Sequence, residues 1–137
     1  LNILSTIDFD NLKNASLAGN KNKLNELISL NNFSSEENIL YLRGIYQRLI
    51  KLKETKSLSE ATGNIELAME QLKPKIFWKE KEIFALQAKK WDKRNIDDAL
   101  YEVQATEMLI KSNSQIRSDI LIKNLLVNIC KRISKSS

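Results

Sequence analysis

The 137-residue chain is 42% hydrophobic and 28% charged, ordinary proportions for one soluble globular domain, and its three Gly and one Pro are too few for a turn-rich β fold. It carries 22 Lys and Arg against 17 Asp and Glu, a net charge of +5, and it has no histidine. That absence removes the commonest general base, the usual metal ligand and every Ser-His or Cys-His nucleophile pair, while a single cysteine excludes an internal disulfide framework.

The chain opens on Leu1 rather than Met, which reads as a piece of a longer protein, and residues 1–7 lack the basic start of a signal peptide. Thr6 to Asp10 supplies N-cap oxygens before Leu12, Ala15 and Ala18, which recur at helical spacing, and Gly19 is placed to close the last turn. A second short helix carries Leu24, Leu27, Ile28 and Leu30 on one side and ends at Asn31-Asn32. Ser34-Ser35-Glu36-Glu37 reads as a capping box, with Ser34 as N-cap. It opens an amphipathic helix whose stripe is Ile39, Leu42, Ile45 (with Tyr46), Leu49 and Leu52, with Lys51, Lys53 and Lys56 towards its end.

Ser57-Leu58-Ser59-Glu60 reads as a second capping box that Gly63 soon interrupts, which predicts a weak turn. A short helix with Ile65, Leu67, Ala68, Met69 and Leu72 follows, and Pro74 stops it, leaving Lys73 extended. Another helix spans roughly Trp78 to Lys90 and carries Ile83, Leu86 and Ala88. Trp91-Asp92 ends it and caps the next, which Ile96, Ala99, Leu100, Val103 and Ile110 line as far as Lys111. After a polar break at Ser112-Asn113-Ser114, with Ser114 as N-cap, a final helix runs from about Gln115 to Ser134. Its apolar residues, Ile116, Ile120, Leu121, Ile122, Leu125, Leu126, Val127, Ile129 and Ile133, cover more than half its circumference, so it should be contacted from several directions. No segment alternates with period two. The fold class is all-α, a compact bundle of about six to seven helices in a single domain over 1–137.

The candidate chemistry is sparse. Cys130 lies on the most apolar helix and reads as a buried structural thiol, one that suits a reducing cytoplasm. Glu36-Glu37 and Asp97-Asp98 fall in predicted first turns, where negative charge complements the helix dipole. Glu107 precedes Lys111 by four residues, the favourable order for a structural ion pair. Phe77 and Trp78 stand among Lys75, Lys79 and Lys81. Rings interleaved with lysines suit stacking on bases with phosphate contacts, yet packing in the core or an interface is the commoner use of such rings, and the same holds for Trp91. The +5 balance is spread along the chain with no run of five like charges, so it marks no single basic patch.

From Leu72-Lys73-Pro74-Lys75-Ile76-Phe77-Trp78-Lys79, through Leu86 and Lys90-Trp91, to Ala99-Leu100, Glu107 and Leu109-Ile110-Lys111-Ser112, the order and spacing resemble a known family. It is the C-terminal domain of the delta subunit of bacterial DNA polymerase III, a clamp-loader component. The Ile116-to-Ile129 helix resembles that family's last helix, and Ser16-Leu17-Ala18-Gly19-Asn20 with the Ile39-to-Leu52 helix matches its domain entry in pattern. The resemblance implies a collar domain of the AAA+-associated type, without an active site or cofactor, within a DNA-directed DNA polymerase complex of the bacterial cytoplasm. Its implied partners are the delta prime and tau/gamma collar domains, with template DNA near the collar and no membrane. The sliding clamp would be gripped only through N-terminal AAA+-like domains that this chain does not match. The alternative reading is a helical nucleic-acid-binding domain that contacts single-stranded DNA through Phe77, Trp78 and the nearby lysines.

Overall fold

The structure is a computed structural model and describes residues 2–3, 6–33, 35–112 and 115–134. Helix α1 (Thr6–Leu17) ends where Gly19 takes φ +71°, a left-handed conformation that costs glycine little. Its N–H donates to the Ser16 carbonyl at 3.1 Å and the Asn20 N–H to that of Ala15 at 3.0 Å, the paired bonds of a Schellman closure. Asn20 is also the N-cap of α2 (Lys21–Leu30), its side chain accepting from the Lys23 amide at 3.1 Å. Asn31–Asn32 (β2) then pairs in parallel with Asn2–Ile3 (β1), the extended pairing among the described residues.

The longest element is α3 (Asn38–Thr62), roughly 37 Å at 1.5 Å per residue. Leu42, Ile45, Leu49 and Leu52 are all buried along it, and α4 (Ile65–Glu70), α5 (Lys81–Lys90), α6 (Lys93–Lys111) and α7 (Ser118–Ser134) all pack on it. The final helix touches α1, α2, α3 and α6, in keeping with its wide apolar surface. The chain is thus an all-α bundle of seven helices among the described residues.

Several boundaries and faces differ from the sequence reading. Ser57 to Glu60 does not open a helix: α3 runs through it to Gly63, at φ +76°. The Ser59 hydroxyl instead donates to the Lys56 carbonyl, a local bond that serine makes equally well inside a helix. Lys56 consequently lies mid-helix, and its ammonium donates to the Ala88 carbonyl near the end of α5 rather than to the end of its own helix. Ser34 and Ser114, the expected N-caps, lie outside the described residues; α3 starts at Asn38 after a single 3-10 turn over Ser35–Glu37, and α7 starts at Ser118, three residues later than the pattern suggests. Asp97 and Asp98 fall in the second turn of α6, and they serve as ion-pair partners: Asp97 accepts from Lys53 at 2.7 Å and Asp98 faces Arg132 at 3.7 Å. Leu30, Leu86 and Ile120 are exposed, because the neighbouring elements cover the other side of each helix, and Ile116 is exposed with Gln115 and Arg117 ahead of α7.

Two junctions hold the bundle in register. Phe9 stacks on Tyr41 at 4.3 Å between ring centres, and Phe33 meets both edge-on. Trp91 is buried between α5 and α6, and its indole N–H donates to the Leu17 carbonyl at 2.8 Å. Lys90 beside it donates to the Ala18 carbonyl at 2.7 Å, so an aromatic and a cation together serve the carbonyl end of α1. Asp92 follows as the N-cap of α6, accepting from the Asn95 amide at 2.7 Å. Trp91 is the core anchor at a helix junction that its position suggested.

Candidate functional site

The segment between α4 and α5 turns inward at Leu72, which is buried, and then crosses the surface through a cis Lys73–Pro74 peptide. It re-enters helix as a single 3-10 turn over Trp78–Glu80 that runs straight into α5. The core position where these helices meet is filled by Phe84 and Trp91, so Phe77 and Trp78 are left outside. They are 56% and 69% exposed, their ring centres 6.0 Å apart and their planes tilted by 57°. Of the two packing uses expected for these rings, the core is excluded: the rings form part of the surface, where an interface could still cover them.

The three lysines singled out with them are divided by the structure. Lys79 places its ammonium 5.4 Å from the Trp78 ring centre, a cation–π contact. Lys75 and Lys81 both turn to Glu70, at 3.7 Å and 3.3 Å. Two exposed ring faces and a nearby cation can stack on a planar group and offset its negative charge. Glu107 and Lys111 do form their ion pair, at 2.8 Å on the outer side of α6. A surface pair of this kind contributes about 0.3–0.5 kcal/mol.

Residue-type reasoning missed the polar centre beneath this turn. Arg48 is buried on α3; its guanidinium donates to Glu80 at 2.9 Å, Gln87 at 3.1 Å and Asn14 at 3.4 Å, and it sits 5.4 Å from the Phe84 ring centre. Gln87 in turn donates to the Asn14 carbonyl at 3.2 Å, so one network ties α1, α3 and α5 together. Burial pushes the Glu80 carboxyl up, but Arg48, Lys13 and Asn14 outweigh it and hold the group below the usual range. The signal was present: Arg48 occupies a stripe position of α3, beside Ile45, Leu49 and Leu52, where a charge must find a buried partner.

Cys130 is buried on α7, and burial pushes its thiol up despite Lys21 and Lys90, as an unreactive packing residue requires. Among the described residues no three His, Cys, Asp or Glu gather where they could hold a metal ion, and no helix is long and apolar enough to cross a membrane. A broad groove of about 720 Å³ runs between α6 and α7, lined by Tyr101, Ala105, Asn128 and Arg132 among others. Tyr101 and Met108 are 74% and 71% exposed along α6, and with Ala105 they follow the i, i+4, i+7 spacing of one helix face.

The described residues form a helical bundle whose surface presents rings and apolar side chains. Compared with known protein families, curated proteins and solved structures, the chain has no match.

Proposed function

We propose that this chain is the helical collar domain of a delta subunit of bacterial DNA polymerase III, and that it holds clamp-loader subunits together while the sliding clamp is loaded. The observation that carries the reading is the face of α6 that presents Tyr101 and Met108 on either side of the half-buried Ala105, two large side chains left in water on a rigid helix. Removing such a face from water is the usual driving force for association. The occupants it suits are neighbouring helical domains, which by the resemblance over Leu72 to Ile129 would be those of delta prime and tau/gamma. In this role the chain itself performs no chemistry and contributes packing surface.

The test is co-elution. The protein carrying this chain, mixed with delta prime and tau/gamma subunits, is expected to form one complex on size exclusion. The double substitution Tyr101→Glu and Met108→Glu is expected to release it while leaving the helical circular dichroism unchanged. Separate elution of the unsubstituted protein at micromolar concentrations would end the proposal.

The exposure of Phe77 and Trp78 favours a second reading, contact with single-stranded DNA, which is compatible with a collar near template. Because Trp91 is buried, fluorescence quenching by an added oligonucleotide reports on Trp78. Quenching that is independent of sequence and falls steeply with salt supports this reading; no quenching at low salt removes it.

A further inference from the structure

A cleft of about 230 Å³ opens between α1, α3 and the Pro74–Glu80 turn, beneath the exposed rings. Its charged lining is Lys13 from α1, Arg48 and Lys51 from α3, Lys75 from the turn, and Glu80: four cations against one carboxylate. Three of the cations are mostly withdrawn from water, with side chains 12% (Lys13), 8% (Arg48) and 24% (Lys51) exposed. Glu80 is already engaged by Arg48 at 2.9 Å. The other partners stand at the rim: Asp10 lies 3.3 Å from Lys13, Glu54 3.9 Å from Lys51 and Glu70 3.7 Å from Lys75, each about half exposed. Lys51 also reaches across the cleft to donate to the Pro74 carbonyl at 3.2 Å.

This arrangement is lopsided in a way that a ligand would correct. Withdrawing ammonium groups from water is costly unless a counter-charge accompanies them. Half-exposed carboxylates offset only part of that cost, since water screens their side of each pair. A lysine can therefore exchange such a partner for an anion at small cost. The anion must be compact, because the volume is below that of pockets for drug-sized ligands, roughly 300–1,000 Å³. It must also accept several hydrogen bonds from different directions. A tetrahedral phosphate meets both conditions, and lysine is a common point-charge partner for it.

We propose that this cleft is a phosphate-binding site, in which Lys13 and Lys51 hold the oxygens and Lys75 closes over them from the turn. Arg48 acts as a positioning residue: it fixes Glu80, and with it the turn that carries Lys75, Phe77 and Trp78. The phosphate has two possible sources, the backbone of a nucleic-acid strand or a small free phosphate. The proposal does not depend on the collar reading, nor on the stacking of Trp78.

The test uses the full chain with pyrophosphate, followed by calorimetry, and with a fluorescein-labelled dT oligonucleotide, followed by anisotropy. Lys51→Gln and Lys13→Gln are compared with Lys131→Gln, a substitution on the exposed side of α7 that changes net charge equally. Each cleft substitution is expected to weaken pyrophosphate about tenfold, the loss of one charge-assisted hydrogen bond, and the α7 control to leave it unchanged. Should Lys13→Gln unfold the chain, Lys51→Gln carries the test, with the melting curve confirming its fold. If the oligonucleotide is weakened in parallel and its salt slope becomes shallower by about 0.7 per lost contact, the source is a strand backbone. If pyrophosphate alone responds, the source is a free phosphate. Trp78→Ala, which weakens only the oligonucleotide if the ring stacks, keeps failure of the stacking reading separate. Equal losses at Lys131 and the cleft lysines, or full replacement of pyrophosphate by chloride at matched ionic strength, would overturn the site.

Discussion

Replacing Trp91 by Phe removes one hydrogen bond and part of one ring from the most buried junction of the bundle. The bond runs from the indole to the Leu17 carbonyl at 2.8 Å, in the last turn of α1, where no intrahelical donor remains. Leaving that carbonyl buried without a partner costs about 1–3 kcal/mol. The smaller ring adds a void of roughly 40 Å³, and at about 24 cal/mol per Å³ this contributes about 1 kcal/mol more. The expected loss is about 2–4 kcal/mol. An unfolding entropy of about 2.1 cal/mol/K per residue amounts to ~0.29 kcal/mol/K over this length, so the melting temperature should fall by about 7–14 °C. Thermal melts by circular dichroism at 222 nm and urea unfolding measure this directly. A variant that melts within 2 °C of the parent would refute the reasoning, since the anchor would then carry neither the bond nor the packing assigned to it.

Gly19→Ala should destabilise by about 1–2 kcal/mol in urea, because a left-handed residue gains a Cβ that would lie 3.3 Å from Ile133 Cγ1; at Gly63 nothing lies within 4 Å, so Gly63→Ala should cost only the backbone share. Acid stability should depend on Glu80: its carboxyl is lowered in the folded state, so its contribution is present above the unfolded glutamate value and is lost as pH falls below about 4. The parent should therefore lose stability more steeply on acidification than Glu80→Gln, and parallel curves would contradict the Arg48 pairing. Trp78→Ala should shift unfolding by no more than about 0.5 kcal/mol, as for an exposed side chain, and a larger loss would place that ring back in the core.

The legible part of the fold was the part that rests on local rules. Gly19, Asn31, Asp92 and the cluster ending at Lys111 marked helix ends because caps and left-handed closures are decided within a turn of chain. The stripe of α3 and the apolar surface of α7 followed from spacing: Leu42, Ile45, Leu49 and Leu52 of the first and Leu121, Ile122, Leu125, Leu126, Ile129 and Ile133 of the second are buried, while Ile116 and Ile120 are not. What failed was judged locally but decided at a distance. Ser57 to Glu60 has the composition of a helix start, yet α4, packed on α3, lets the long helix continue through it. Leu86 looks like a core residue, while its neighbours Phe84 and Gln87 face the interior, because α5 is rotated by the packing of Trp91 against α1.

The candidate surfaces divide in the same way. Residue types alone identified Phe77, Trp78 and their lysines as a group able to meet a planar, negatively charged partner, and identified the absence of histidine chemistry. Whether those rings were core or surface could not follow from composition, since an aromatic is equally at home in either. That was settled when Leu72, Phe84 and Trp91 took the available interior space. The cleft below them was invisible in the sequence because Lys13, the Arg48–Lys51 pair on α3 and Lys75 come from three elements separated along the chain. Sequence by itself determined an all-α chain, several of its helix ends and most of its buried stripes, through short-range backbone and spacing rules. Only the tertiary structure decided which charges and rings share a surface, because that depends on how whole helices rotate to fill one core.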